Sequence, residues 1–325
     1  MIQLSKSEIQ TLISIDDGAV SAIRDAYVAV TDGRGNVPPV GHLDLPHNNG
    51  ECHIKYGYIS GDPVFVVKIA VGFYDNPSKG LPSSNGVMVA ASAITGQIIA
   101  VLSDEGWLTD LRTGIGGAVA TFALCRPDSE RFGIVGTGTQ ARFQAQALAA
   151  LAGRPIRFAV WGRSETKAME LAAEFQRHGL HTEVTSNLEH LCRNSDVIVT
   201  TTPSTKPLIG AEWIAKGTHI TAMGADTPGK QELDENLVAR ANLRVSDISR
   251  QCLERGEFAT AFTQGLIGEN DCIELGHILA GKATGRTSSD EITIADLTGV
   301  ATQDIAITRT VLERVPGLEL ATTIS

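Results

Sequence analysis

Gly136-Thr137-Gly138-Thr139-Gln140-Ala141 lies between a short apolar run, Phe132 to Val135, and an alanine-rich stretch ending at Leu151. In a G-x-G-x-x-A turn the first glycine permits a tight bend. The second lets the backbone approach a pyrophosphate without a Cβ in the way, and the alanine keeps the following helix close to its strand. The helix start then presents unpaired N–H groups and the positive end of its dipole to phosphate oxygens. About 20 residues further on, where a ribose selector belongs, stand Arg163, Ser164 and then Lys167, with no carboxylate before Glu165. An acid there would bond a ribose 2′-hydroxyl and repel a 2′-phosphate. The cations lean the reading towards the phosphorylated dinucleotide NADP without excluding NAD.

Three charged residues stand where a fold does not need them. Lys68 interrupts the apolar run Val64 to Val71. Burying an unpaired ammonium costs several kcal/mol, so something anionic should meet it. Arg112 lies in Leu108-Thr109-Asp110-Leu111-Arg112-Thr113, just before a small-residue helix predicted over 115–124. A guanidinium there can grip a carboxylate with two parallel bonds. Asp226 follows a predicted strand over 219–223, at the end of a parallel sheet where ligands collect. Asp ahead of Pro and Gly also suits a plain turn.

These groups need elements to hold them. From Arg131 onward, apolar β-branched runs alternate with helical spacing: strands over 131–135, 156–161, 181–184, 196–202, 219–223 and 243–245, with helices over 141–151 and 164–178. That alternation argues for an α/β fold with a doubly wound parallel sheet of Rossmann type. The first 120 residues read differently. Helical spacing over 7–30 is followed by strands separated by Gly, Pro, Asn and Asp clusters, the punctuation of antiparallel hairpins. A last helical stretch over 299–315 is expected to pack back on this part. The predicted division is therefore a mixed α+β domain of 1–120 with 300–325, and a dinucleotide-binding domain of 121–299.

Composition narrows the function. With 325 residues, 42% of them apolar, the chain can bury a core in each of two domains. A net charge of −10 opposes general affinity for nucleic acid or anionic lipid. No apolar run reaches the ~20 residues of a membrane helix, and the start of the chain lacks a signal-peptide layout, so the cytosol is the expected compartment. Five scattered cysteines with no CxxC encode neither a disulfide framework nor a zinc site, so no metal is expected.

Lys68, Leu108-Thr109-x-x-Arg112-Thr113, the glycine turn, Gly224-x-Asp226-x-Pro228-Gly229-Lys230-x-Glu232-Leu233 and Gly299-x-x-x-Gln303-Asp304 occur in one order along the chain. In that combination the sequence closely resembles the ornithine cyclodeaminase and μ-crystallin family. The resemblance implies a homodimer built through the first domain and the C-terminal helix, with substrate held in a cleft beside a Rossmann domain. It also implies NAD(P)-linked chemistry at the α-carbon of a small anionic amino or imino acid. By position it makes Lys68 and Arg112 the carboxylate anchors and Asp226 the acid/base at nitrogen, with Thr113, Thr202 and Met223 among the coenzyme contacts. The chemistry agrees: a clamped carboxylate fixes the neighbouring C=N carbon for hydride transfer, and a placed acid contributes about 10²–10⁴-fold.

Two departures bear on specificity. Family members commonly carry an arginine shortly after a stretch like Val37-Pro38-Pro39, where this chain has Val40, Gly41 and His42, so that carboxylate contact is either missing or supplied by His42. Ornithine cyclodeaminases have a glutamate where this chain has Lys55. An ammonium there would repel the ammonium of ornithine and attract an anionic side chain, and strand alternation puts His53 on the same face. The expected activity is reduction of a small acidic α-imino acid, such as iminosuccinate to aspartate. Alternatives are a cyclodeaminase that recycles its own NAD, an alanine dehydrogenase-like enzyme, and a nucleotide binder without turnover.

Overall fold

The computed structural model describes residues 1–320, so Ala321–Ser325, the end of the segment expected in the first domain, lie outside the described residues. The chain divides into two compact units: Met1–Arg112 with the chain from Val300 onward, and Thr113–Gly299.

The first unit begins with β1 (Ile2–Ser5), α1 (Lys6–Leu12) and α2 (Asp17–Thr31). Spacing over 7–30 predicts one helix, but the chain breaks at 13–16. Ser5 and Asp16 each cap a helix start, accepting from the Glu8 and Ala19 N–H groups. Six strands follow: β2 (Gly35–Asn36), β3 (Gly41–Leu45), β4 (Gly50–Ile59), β5 (Val64–Phe73), β6 (Ser84–Ser92) and β7 (Ile98–Ser103). Strands β3 to β7 pair as antiparallel neighbours, and β1 joins β7 in parallel. Register sets Lys55 opposite Lys68 and His42 opposite His53. Because side chains alternate along a strand, one face carries His42, His53, Lys55 and Lys68. The other carries Leu43, Ile54, Tyr56 and Ile69, which are 39–58% exposed.

Helix α3 (Trp107–Leu124) contains the division at Arg112/Thr113. The predictions place the helix start at 115 and the domain boundary at 120. The helix starts earlier because its buried stripe begins at Leu108 and runs through Leu111 and Ile115. Gly114 and Gly117 are packing residues rather than breaks: a Cβ on Gly114 would sit 2.7 Å from the Phe143 carbonyl, and one on Gly117 would meet Gln144.

The second unit runs through β8 (Arg131–Val135), α4 (Thr139–Leu151), β9 (Arg157–Trp161), α5 (Glu165–Arg177), β10 (His181–Val184), α6 (Leu188–Arg193), β11 (Val197–Thr200) and β12 (Thr205–Ile209). It continues with β13 (His219–Ala222), β14 (Gln231–Leu233), α7 (Glu235–Arg240), β15 (Leu243–Ser246), α8 (Ser249–Arg255), α9 (Ala259–Thr263), β16 (Cys272–Glu274), α10 (Leu275–Leu279) and β17 (Thr293–Asp296). Eight strands form one parallel sheet in the order β10-β9-β8-β11-β13-β17-β15-β16, and β12 pairs with β14. The order reverses beside β8, as in a doubly wound Rossmann sheet. Phe122, Phe132, Phe158 and Phe175 form a tilted aromatic row at 6.0–6.2 Å spacing, and Ile198, Ile220 and Ile294 centre the apolar core. Helix α11 (Ala301–Glu313), buried along most of its length, packs on α2, β4 and β5 of the first unit. No helix among the described residues is long and apolar enough to cross a membrane.

Candidate active site

In the second unit the glycine turn joins β8 to α4. Gly136 has φ +124°, a conformation that a side chain would strain, and a Cβ there would also meet the Thr201 side chain. A Cβ on Gly138 would meet open space, so the backbone is bare on the side a ligand would approach. Thr139 and Gln140 open α4, and Ala141 is buried beneath. A cavity of about 550 Å³ lies over the turn. Gly136, Thr137 and Gly138 form one wall, Arg163, Ser164 and Lys167 another, and Thr202 a third. Among the described residues no carboxylate lines it, and Lys206 adds a further cation. This donor set of bare backbone, hydroxyls and cations fits a dinucleotide diphosphate.

Of the other predicted coenzyme contacts, the Met223 N–H donates to the Thr200 carbonyl at 3.0 Å, and the Thr113 carbonyl accepts from Gln144 Nε2 at 2.9 Å. Asp226 is exposed in the loop after β13, its Oδ1 2.7 Å from Lys230 Nζ.

In the first unit the anion that Lys68 requires is supplied by the chain itself. Lys68 Nζ lies 2.7 Å from Asp304 Oδ2, and Arg112 Nε lies 3.0 Å from Asp304 Oδ1. Arg112 Nη1 also donates to Gln303 Oε1 at 3.0 Å. Lys68, Arg112 and Asp304 are 2%, 5% and 1% exposed, so the pairing is screened by protein rather than water. Burial pulls the Lys68 ammonium down to about 7, with Asp304 opposing and Arg112 and Lys55 adding to the effect. Burial raises the Asp304 carboxyl, but Lys68 and Arg112 overcome it and hold the group below its usual range. In the sequence Asp304 stands only as the end of a motif with no role of its own, and an unpaired lysine in an apolar strand is the signal that such a partner must exist.

Further along the same sheet face, His42 Nε2 is 2.8 Å from Asp44 Oδ1, and His53 Nε2 is 3.4 Å from Glu51 Oε2. The two imidazoles meet edge to face at 4.7 Å. His42, Glu51 and His53 bring one ligand atom each within 4.8 Å of one another, a grouping that strand spacing alone did not reveal. Lys55 is half-buried on β4, two residues from His53 and directly opposite Lys68 on β5.

The sequence profile of the ornithine cyclodeaminase/mu-crystallin family matches residues 1–319. The chain belongs to this family. Among solved structures in it, an archaeal alanine dehydrogenase dimer with bound NAD is 36% identical, covering 96% of this chain and 95% of its own, at TM-score 0.88. The iminosuccinate reductase of Paracoccus denitrificans in complex with NAD+ is 32% identical, with 96% and 95% covered and TM-score 0.88. The Δ(1)-pyrroline-2-carboxylate reductase of Thermococcus litoralis, with NADH and L-proline, is 28% identical, with 97% of each chain covered and TM-score 0.90.

Proposed function

We propose that this protein is an NAD(P)H-dependent reductase of a small acidic α-imino acid, of which iminosuccinate to aspartate is the type conversion. Its class, a nicotinamide-dependent oxidoreductase acting on CH–NH2 or imine bonds, is that of the relatives it matches along nearly its whole length. The observation that carries the finer reading is the excess of cation around one buried carboxylate: Lys68 and Arg112 against Asp304, with Lys55 opposite Lys68.

Asp304 and Gln303 use two of the five guanidinium N–H donors of Arg112, and Asp304 faces one side of the Lys68 ammonium. The remaining donors bind the substrate α-carboxylate, and Lys55 attracts the side-chain carboxylate, with His53, whose charged form burial disfavours, beside it as a hydrogen-bonding neighbour. When bound, the reduced nicotinamide supplies the hydride. Reduction of the imine would need that hydride at the C=N carbon and one proton at nitrogen, and Asp226 is the residue assigned to deliver the proton. Gly136 to Ala141 hold the diphosphate, with Thr202, Met223 and Thr113 on the nicotinamide side. Arg163, Ser164 and Lys167 receive the ribose end, which favours NADPH, although the relatives' structures hold NAD or NADH.

The enzyme acts as a homodimer in the cytosol. The exposed apolar face of β3, β4 and β5 supports the dimer, and five free cysteines support a reducing compartment. The likeness to alanine dehydrogenase favours a second reading, in which pyruvate is the acid reduced and ammonia supplies the nitrogen. Assay of 2-oxo acids with ammonia, each with NADH and NADPH, separates the two. Oxaloacetate is expected to drive coenzyme oxidation faster than pyruvate. Preference for pyruvate, or ammonia release from ornithine with no net coenzyme change, would overturn the acidic-substrate reading.

A further inference from the structure

Two buried carboxylates in the second unit have no part in the chemistry above. Glu232, on β14, is fully buried, and its oxygens are taken up by donors from three places. Oε1 accepts from the Thr202 N–H at 2.6 Å, and Oε2 accepts from the Thr200 hydroxyl at 2.6 Å and the Gly224 N–H at 3.0 Å. Thr200 ends β11, Thr202 lies just past it, and Gly224 follows β13. Since β11 and β13 are neighbours in the sheet, one side chain ties together the carboxyl ends of two adjacent strands. That is the edge at which parallel sheets of this kind hold ligands. Gly224 is part of the device, because a Cβ there would run into the Glu232 carboxylate and the Thr202 carbonyl. Glu257 accepts in turn from the backbone N–H of Glu232 at 2.9 Å and from that of Leu233, pinning the strand that carries Glu232.

Stability alone does not explain this choice. Burial pushes the Glu232 carboxyl up to about 7, which means the fold disfavours its charged form. What a carboxylate offers is geometry: two acceptor oxygens that take donors from both sides, where an amide has one acceptor and one donor. We propose that Glu232 is a positioning residue of the coenzyme site, its carboxylate clamping Thr202 and Gly224 so that the loops after β11 and β13 hold the nicotinamide ring in one orientation. The inference rests on the placement of the nicotinamide beside Thr202 and Met223 given above.

The two glutamates control for each other. In Glu232→Gln the amide NH2 must face the Thr202 N–H or the Gly224 N–H, donor against donor. In Glu257→Gln one oxygen still serves both backbone donors, because Oε1 already accepts from each, and only the longer second contact of the Glu232 N–H, 3.1 Å to Oε2, is lost. E232Q is expected to raise the Kd for NADH about tenfold by fluorescence titration, and to speed hydrogen exchange at the Thr202 and Gly224 amides about tenfold in coenzyme-free protein. E257Q is expected to stay within about threefold on both measurements. Equal losses in the two variants would reduce the effect to the general cost of a buried amide, and unchanged NADH binding in E232Q would remove the clamp; either overturns the proposal. In the wild type, failure of NADH to protect the Thr202 and Gly224 amides would sink the nicotinamide placement instead, while the coenzyme-free exchange rates still report on the clamp. If E232Q does not fold, Gly224→Ala displaces the same carboxylate. It is expected to weaken NADH about tenfold, and a change below about threefold overturns the proposal.

Discussion

Asp304 is one carboxylate shared by two buried cations, and its removal separates charge pairing from catalysis. Asp304→Asn strands Lys68 and Arg112 in a low-dielectric site, a change of the kind that costs about 3–5 kcal/mol. It also takes away the carboxylate paired directly with Lys68, which helps hold its proton on, so the ammonium is driven below about 7. In the wild type Lys68 is neutral in the fold and charged in the unfolded chain between about 7 and 10.5, so its contribution to stability rises with pH across that window. If the charged ammonium binds the substrate carboxylate, kcat/KM of the wild type declines as pH rises through about 7. In D304N that limb is expected at lower pH. A limb that stays in place would show that some other group titrates there. The need for an anion at Lys68 was legible from one ammonium in an apolar strand. Its identity was not, because Asp304 lies 192 residues beyond Arg112 and no local pattern links them.

The register of strand β4 carries the proposed substrate specificity. Because Lys55 faces Lys68 across the β4–β5 ladder, a charge reversal at 55 acts on the same sheet face as Lys68, one of the two proposed carboxylate anchors. Lys55→Glu is expected to lower kcat/KM for a four-carbon diacid at least about tenfold more than for pyruvate, read from parallel initial-rate series. Equal losses would remove Lys55 from side-chain recognition. The strand, turn and helix around Gly136 were readable because each contact there is local: the glycines, the Ala141 packing and the Ser164 cap all lie within a few residues of what they serve. Helix α3 starts before the predicted residue 115 because its buried stripe begins at Leu108, and Gly114 and Gly117 within it admit α4 at close range. The buried acids were invisible for a different reason. The amide donors that satisfy Glu232 come from loops, and side-chain periodicity says nothing about where loop N–H groups point.

For the molecule as a whole, the exposed row of Leu43, Ile54, Tyr56 and Ile69 is the feature most in need of cover. Replacing Ile54 and Ile69 together by lysine, on directly paired positions of β4 and β5, is expected to convert a two-chain species to a single chain by light scattering. Persistence of the two-chain mass would place the interface elsewhere. Helix α11 has another kind of reach. It brings Asp304 to a sheet completed long before it along the chain, so during synthesis Lys68 and Arg112 leave the ribosome without their counter-ion. The first unit therefore cannot complete this charge pairing until Asp304 itself has been made, and a nascent chain stalled before residue 304 would leave two cations without that carboxylate.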